Sequence, residues 1–151
     1  MTTPQNSETP LWLPLYGASF GDAVRRFFRK YTDFTGRASR SEFWWWWLLS
    51  VLIAVVFEIL LLTLGNVGGV TTSDGTRALG PISWILLVAY LIWVVVIVTP
   101  SIALIWRRLH DANLAGPFFF LGFIPVIGGI LLLVFYLLPS KPEGARFDRQ
   151  R

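Results

Sequence analysis

The chain contains no cysteine, a single histidine and a single methionine. The missing thiols exclude disulfides, thiolate nucleophiles and cysteine-held metal, and leave the redox compartment undecided. One imidazole falls short of the several ligands a zinc site takes. Charge is also scarce, at 15% of residues, and it avoids three long stretches, 43–64, 82–106 and 118–138. Glu58 is the only charged side chain inside them. Glycine-rich phosphate loops are missing, as are paired acids suited to glycoside chemistry. The first twenty residues show no basic stretch followed by an apolar core, so no cleavable signal peptide is expected and insertion should depend on the first spanning helix.

What is present is oil. Hydrophobic residues make up 54% of the 151, and they come in blocks rather than at amphipathic spacing. A soluble chain of this size needs a water-facing side on every helix, so uncharged blocks of this length argue for lipid. At about 1.5 Å of rise per residue, each block is long enough as a helix to cross a hydrocarbon layer ~30 Å thick. Several of the eight tryptophans fall near the block ends (Trp44 to Trp47, Trp84, Trp106), where an amphipathic indole prefers the headgroup region. The net charge of +4 sits beside these blocks, which makes anionic lipid headgroups the expected partner rather than nucleic acid.

The expected fold is an all-α membrane protein, with three transmembrane helices preceded by a cytoplasmic amphipathic interfacial helix. Residues 1–19 read as a disordered tail, 20–138 as the membrane domain and 139–151 as a polar basic tail. Within 20–34, Phe20, Val24, Phe27, Phe28 and Tyr31 recur at three- and four-residue intervals, with Arg25, Arg26, Arg29 and Lys30 on the other side. That pattern predicts aromatics in the acyl boundary and cations at headgroups; the alternative is a short helix packed on its own protein. Ser39 and Glu42 stand three apart, as a capping box needs, so the first span is placed at about 39–64 with a tryptophan collar. A Gly/Thr/Ser-rich loop follows. The second span covers about 81–109, with Pro81 in its first turn and a kink expected at Pro100.

The third block, 118–138, holds Pro125 and Gly128-Gly129 and is just long enough to span once. Its rival is a re-entrant hairpin turning at 125–129, whose irregular backbone needs shelter from lipid. Counting Lys and Arg, the amino-terminal flank has Arg25, Arg26, Arg29, Lys30, Arg37 and Arg40, and the first loop has Arg77 alone. The amino terminus is therefore expected in the cytoplasm. Three spans then leave Lys141, Arg146, Arg149 and Arg151 outside, against the same rule, which keeps the hairpin open.

Two motifs carry a resemblance. The segment Phe34-Thr35-Gly36-Arg37-Ala38-Ser39-Arg40-Ser41-Glu42-Phe43-Trp44, together with Arg107-Arg108-Leu109-His110-Asp111 and the later 124–128 segment, resembles the DUF805 family of small bacterial inner-membrane proteins. The resemblance covers about 20–147. It departs at Asn113–Pro117, where the family commonly shows Gly-x-Ser-Gly-Trp, and at 145–148, where it ends Asn-Arg-Phe-Gly. The family implies residence in the bacterial inner membrane, and no activity or cofactor.

Arg37, Arg40, Glu42, Arg107, Arg108, His110 and Asp111 would form one polar cluster if the two motif-bearing helices are neighbours. Arg107 and Asp111 are spaced to pair along a helix. The plain reading is a solvated staple at the headgroups; a ligand or partner site is the sharper one. His110 beside Asp111 could activate Ser39, Ser41 or Ser101, but no nucleophile-elbow spacing accompanies them, and no catalytic role is assigned. Glu58 is a carboxylate within a spanning stretch, nearer the outer face and about level with Tyr90, and is expected in protonated form to hydrogen-bond Tyr90 or a freed carbonyl. The plainer alternative is that it sits close enough to the loop to reach water. The expected role is a non-catalytic interaction or accessory protein, with a second copy, approached closely through Gly128-Gly129, or another membrane protein as its partner. The alternative is a small transporter or channel component using Glu58 or the inner basic cluster.

Overall fold

The computed structural model describes residues 9–65, 67–71, 73–76 and 78–148. Four α-helices follow in order: α1 Phe20–Arg29, α2 Arg40–Leu64, α3 Pro81–Asp111 and α4 Ile127–Leu137. Two 3-10 helices, Gly116–Phe123 and Pro142–Phe147, flank α4. The chain divides into two compact units, one made of Met1–Trp47 with Thr99–Arg151, the other of Leu48–Val98. Residues 1–8 of the expected disordered tail, and Arg77, Arg149 and Arg151, lie outside the described residues.

Within α2 and α3, long apolar windows bury almost none of their residues against protein. Leu62, Ile85 and Val95 are each about two-thirds exposed. An apolar helix surface this uncovered needs lipid as its solvent. Both helices are long enough to cross a bilayer.

The start of α2 is the expected capping box. The Glu42 amide donates to Ser39 Oγ at 3.2 Å, and the Ser39 amide donates to Glu42 Oε2 at 2.9 Å. The end of α3 is closed with equal economy. Asn113 has φ +62°, its amide donates to the His110 carbonyl, and the Leu114 amide reaches back to the Leu109 carbonyl. These two bonds with a left-handed residue between them form a Schellman cap, for which Asn is the best substitute for glycine. α3 therefore runs two residues past the expected end, through His110 and Asp111.

Residues 118–138 do not form the expected third spanning helix. Pro125 withholds an amide and turns Ile124 away from helical dihedrals, and the run breaks there. The Ile127 amide donates to the Pro125 carbonyl at 2.7 Å across Val126, whose φ of +64° and ψ of −62° make a γ-turn, costly for a β-branched residue. The 3-10 arm and α4 then pack on each other: Phe118 meets Phe135 edge-on at 5.9 Å. Gly128 lies so close to the first arm that a Cβ there would overlap the Leu121 carbonyl. With 8 residues at about 2 Å and 11 at about 1.5 Å, each arm is roughly 16 Å long, half a bilayer.

α1 also differs from expectation. It is shorter than 20–34, and Ala23, Arg26, Phe27 and Lys30 face inward, spaced three and four apart. Phe27 stacks on Trp46 with ring centres 3.3 Å apart. Arg26 and Lys30, expected at headgroups, are buried; Arg25 and Arg29 stay outside. The tryptophan collar is likewise divided, since Trp46 is core and Trp47 is half exposed.

Candidate functional site

The first motif is organised around Glu42. Its Oε1 accepts from Arg26 Nε at 2.5 Å, and its Oε2 accepts from the amides of Leu15 and Ser39. The Arg26 guanidinium also donates to the carbonyls of Thr9, Leu11 and Leu13. Ser39 Oγ donates to the Leu15 carbonyl, and Ser41 Oγ accepts from the Ala18 amide. Residues 9–19 are thus folded onto the unit rather than loose, with Leu15 and Ala18 in its core. A carboxylate that would be costly to bury is stabilised here by one cation and two amides.

The second motif is organised around Arg108 and Asp111, both without solvent exposure. Arg108 Nη1 donates to Asp111 Oδ2 at 2.9 Å. Its Nε and Nη2 donate to the Tyr136 carbonyl, and Nη2 also reaches the Leu138 carbonyl. The fork therefore caps the carboxy-terminal end of α4, where unpaired carbonyls carry partial negative charge. Asp111 additionally accepts from the Tyr16 hydroxyl at 3.1 Å and from Ser140 Oγ, and its carbonyl accepts from the Lys141 amide. Desolvation first, and the Asp111 carboxylate second, raise the Tyr16 hydroxyl above its ordinary pKa.

His110 Nδ1 lies 3.0 Å from the Gly36 carbonyl, which can only accept, so this nitrogen carries the proton. The ring stacks on Phe147 with centres 4.0 Å apart. Arg37 grips the Asp148 carboxylate with Nε at 3.1 Å and Nη2 at 2.7 Å. Residues 141–148 therefore dock on the same unit as the amino-terminal flank. Gly144 makes this possible, because a side chain there would strike the His110 carbonyl.

The structure brings six of the seven expected cluster residues into this buried unit and leaves Arg40 exposed, with no ion pair among the described residues. Two details are corrected. Arg107 does not pair with Asp111; its Nε donates to the Ala103 carbonyl at 3.1 Å, and its Nη2 has no partner among the described residues. Nor is the cluster a solvated staple, since Glu42, Arg107, Arg108, His110 and Asp111 are all buried. Lys30 belongs to the same neighbourhood: burial pushes its ammonium down to about 7, against the pull of Glu42 and with Arg107 and Arg26 adding repulsion. Arg26, Tyr16, Lys30 and Asp148 were not expected here. The inward spacing of Ala23, Arg26, Phe27 and Lys30 was a usable signal for two of them; nothing local marks Tyr16 or Asp148.

In the other unit, Glu58 and Tyr90 line one cavity of about 320 Å³ with Ala54, Phe57, Leu61 and Leu87. The expected hydrogen bond from Glu58 is not formed among the described residues. Tyr90 instead packs its ring against Phe57, centres 5.2 Å apart. The polar groups share a space without meeting.

The family model described as "Protein of unknown function (DUF805)" matches residues 31–149, a span that holds both motifs and the docked segment after α4. The chain belongs to the DUF805 family. Among its relatives in Escherichia coli (strain K12), the inner membrane protein YhaI is 31% identical over 119 residues, covering 79% of this chain and 86% of the relative. The inner membrane protein YhaH is 30% identical over 126 residues, covering 83% and 93%. No solved structure matches the chain.

Proposed function

We propose that this DUF805 protein is an integral inner-membrane protein with two spanning helices, α2 and α3, and a re-entrant hairpin formed by residues 116–138. Its amino-terminal flank and its carboxy-terminal segment lie on the cytoplasmic side. Its role is non-catalytic: an accessory or interaction protein that assembles with a second copy or with another membrane protein. The observation that carries this reading is the closed state of the motif network. Glu42, Arg108 and Asp111 spend their hydrogen-bonding capacity on the protein's own backbone and side chains, fixing residues 9–19, the α4 terminus and residues 141–148. Groups used this fully serve as a frame. Arg25, Arg29 and Arg40 stay exposed and face anionic headgroups. An even number of crossings also returns Lys141 and Arg146 to the positive side.

The absence of cysteine makes a direct test simple. Single cysteines at Gly21, Ser73 and Ala145 are labelled with an impermeant maleimide in oriented membrane vesicles. Gly21→Cys and Ala145→Cys should react from the cytoplasmic side and Ser73→Cys from the other. Labelling of Ala145→Cys together with Ser73→Cys refutes the hairpin. The accessory role is tested by crosslinking the full chain in intact cells: a discrete adduct is expected, and a strictly monomeric pattern counts against it. The cavity shared by Glu58 and Tyr90 favours a second reading, a small transporter component.

A further inference from the structure

The geometry points to a binding site for a lipophilic monovalent organic cation in the cavity lined by Glu58, Phe57 and Tyr90. This inference rests on α2 and α3 spanning the membrane, as proposed above. Glu58 is the only charged residue in the apolar stretches, and it has no ion-pair partner among the described residues. Glu58 is exposed on the apolar surface of α2 and not covered by protein, and a carboxylate facing hydrocarbon is costly unless something compensates it.

The cavity states what that compensation should look like. Its volume of about 320 Å³ is in the range of small-molecule sites, and Glu58 and Tyr90 are the only residues with polar side chains among those that line it. Phe57 and Tyr90 present two rings tilted at 55°, an aromatic corner able to face a diffuse positive charge. A metal ion or small ammonium would lose its hydration here and regain a single carboxylate. A cation whose charge is buried among its own carbons has little hydration to lose, and it gains ion pairing, ring faces and apolar contact together. Val55 and Leu87, on the cavity wall, are exposed on the apolar surface, so such a ligand reaches the site through the hydrocarbon.

The test uses the full chain in nanodiscs of uncharged lipid, with tetraphenylphosphonium as probe and triphenylphosphine oxide as its neutral comparator. Bound probe is read by equilibrium dialysis against protein-free discs. Saturable binding of the cation is expected, with no protein-dependent excess for the neutral compound. Glu58→Gln should weaken binding by at least about tenfold, equivalent to roughly 1.4 kcal/mol of lost attraction. Glu58→Asp should retain most of it. Ala54→Phe fills the cavity while keeping the carboxylate, and should abolish binding. The inference is overturned if wild type shows no saturable excess, or if Glu58→Gln binds as wild type does. If Glu58→Gln does not incorporate, undiminished binding by Ala54→Phe overturns it equally. Failure of the wild-type chain to co-sediment with discs refutes the membrane reading and this site with it. A chain that incorporates without binding refutes the site alone.

Discussion

Replacing Arg108 by Ala should be among the most damaging single changes in the unit that holds both motifs. Arg108 and Asp111 are both fully buried, and the guanidinium donates to the Tyr136 and Leu138 carbonyls at the end of α4. Removing one partner of a buried ion pair leaves the other uncompensated, which costs about 3–5 kcal/mol. The Tyr136 and Leu138 carbonyls also lose their donor. Arg108→Lys keeps the charge but cannot serve the carboxylate and two carbonyls with one planar fork, so it should lose about 1.5–3 kcal/mol. The assay is reversible unfolding in mixed micelles with rising dodecyl sulfate fraction, followed by tryptophan fluorescence. The double variant Arg108→Ala/Asp111→Ala should be less destabilised than the sum of the singles by about 1–3 kcal/mol. If Arg108→Ala lies within about 0.5 kcal/mol of wild type, as an ordinary surface change would, the reading of this network is wrong. Strict additivity in the cycle would refute the pairing alone.

Two other outcomes follow from the packing. Lys30 binds a proton in the folded state only below about 7, whereas the unfolded side chain holds it to 10.5. Between those values the unfolded state binds more protons, so stability should rise as pH increases from about 7 to about 10.5, and Lys30→Met should flatten that slope in the same micelle titration. Gly128→Ala puts a methyl group into the Leu121 carbonyl, and should destabilise by about 1–3 kcal/mol, read as an earlier unfolding midpoint; Gly129→Ala, with open space around it, should not.

Much of this fold was legible in the sequence where one physical cause acted locally. The uncharged blocks defined α2 and α3 because helix length against bilayer thickness is a one-dimensional constraint. The Ser39–Glu42 box formed because its two hydrogen bonds lie within three residues. The cluster residues were legible as a group, but their pairings were not. Arg37 chose Asp148, 111 residues away, and Glu42 chose Arg26. Distant carboxylates leave no trace in spacing. α1 misled for a different reason: its aromatic and basic faces overlap, and Trp46 claimed the Phe27 ring, which turned Arg26 and Lys30 inward with it. Glu58 and Tyr90 line one cavity, yet a shared wall built from two helices does not bring two side chains into hydrogen-bonding range.

A buried ion pair is a poor way to gain stability, since well-packed apolar side chains of similar volume often do as well. What Arg108 and Asp111 supply is a choice between two arrangements that the 118–138 stretch permits. Its composition suits a single crossing or a hairpin, and Pro125 permits both. Only in the hairpin does the end of α4 come back to the end of α3, where the Arg108 fork receives the Tyr136 and Leu138 carbonyls and Asp111 receives Ser140. Removing the fork should therefore weaken the discrimination as well as the fold. In vesicles carrying Arg108→Ala with the Ala145→Cys reporter, a fraction of the label should move to the outer side, while Ser73→Cys in the same background keeps its sidedness. Should Arg108→Ala unfold in micelles yet leave Ala145→Cys wholly cytoplasmic, the positive residues after α4 set the hairpin by themselves. The buried pair would then be a consequence of the topology and not a determinant of it.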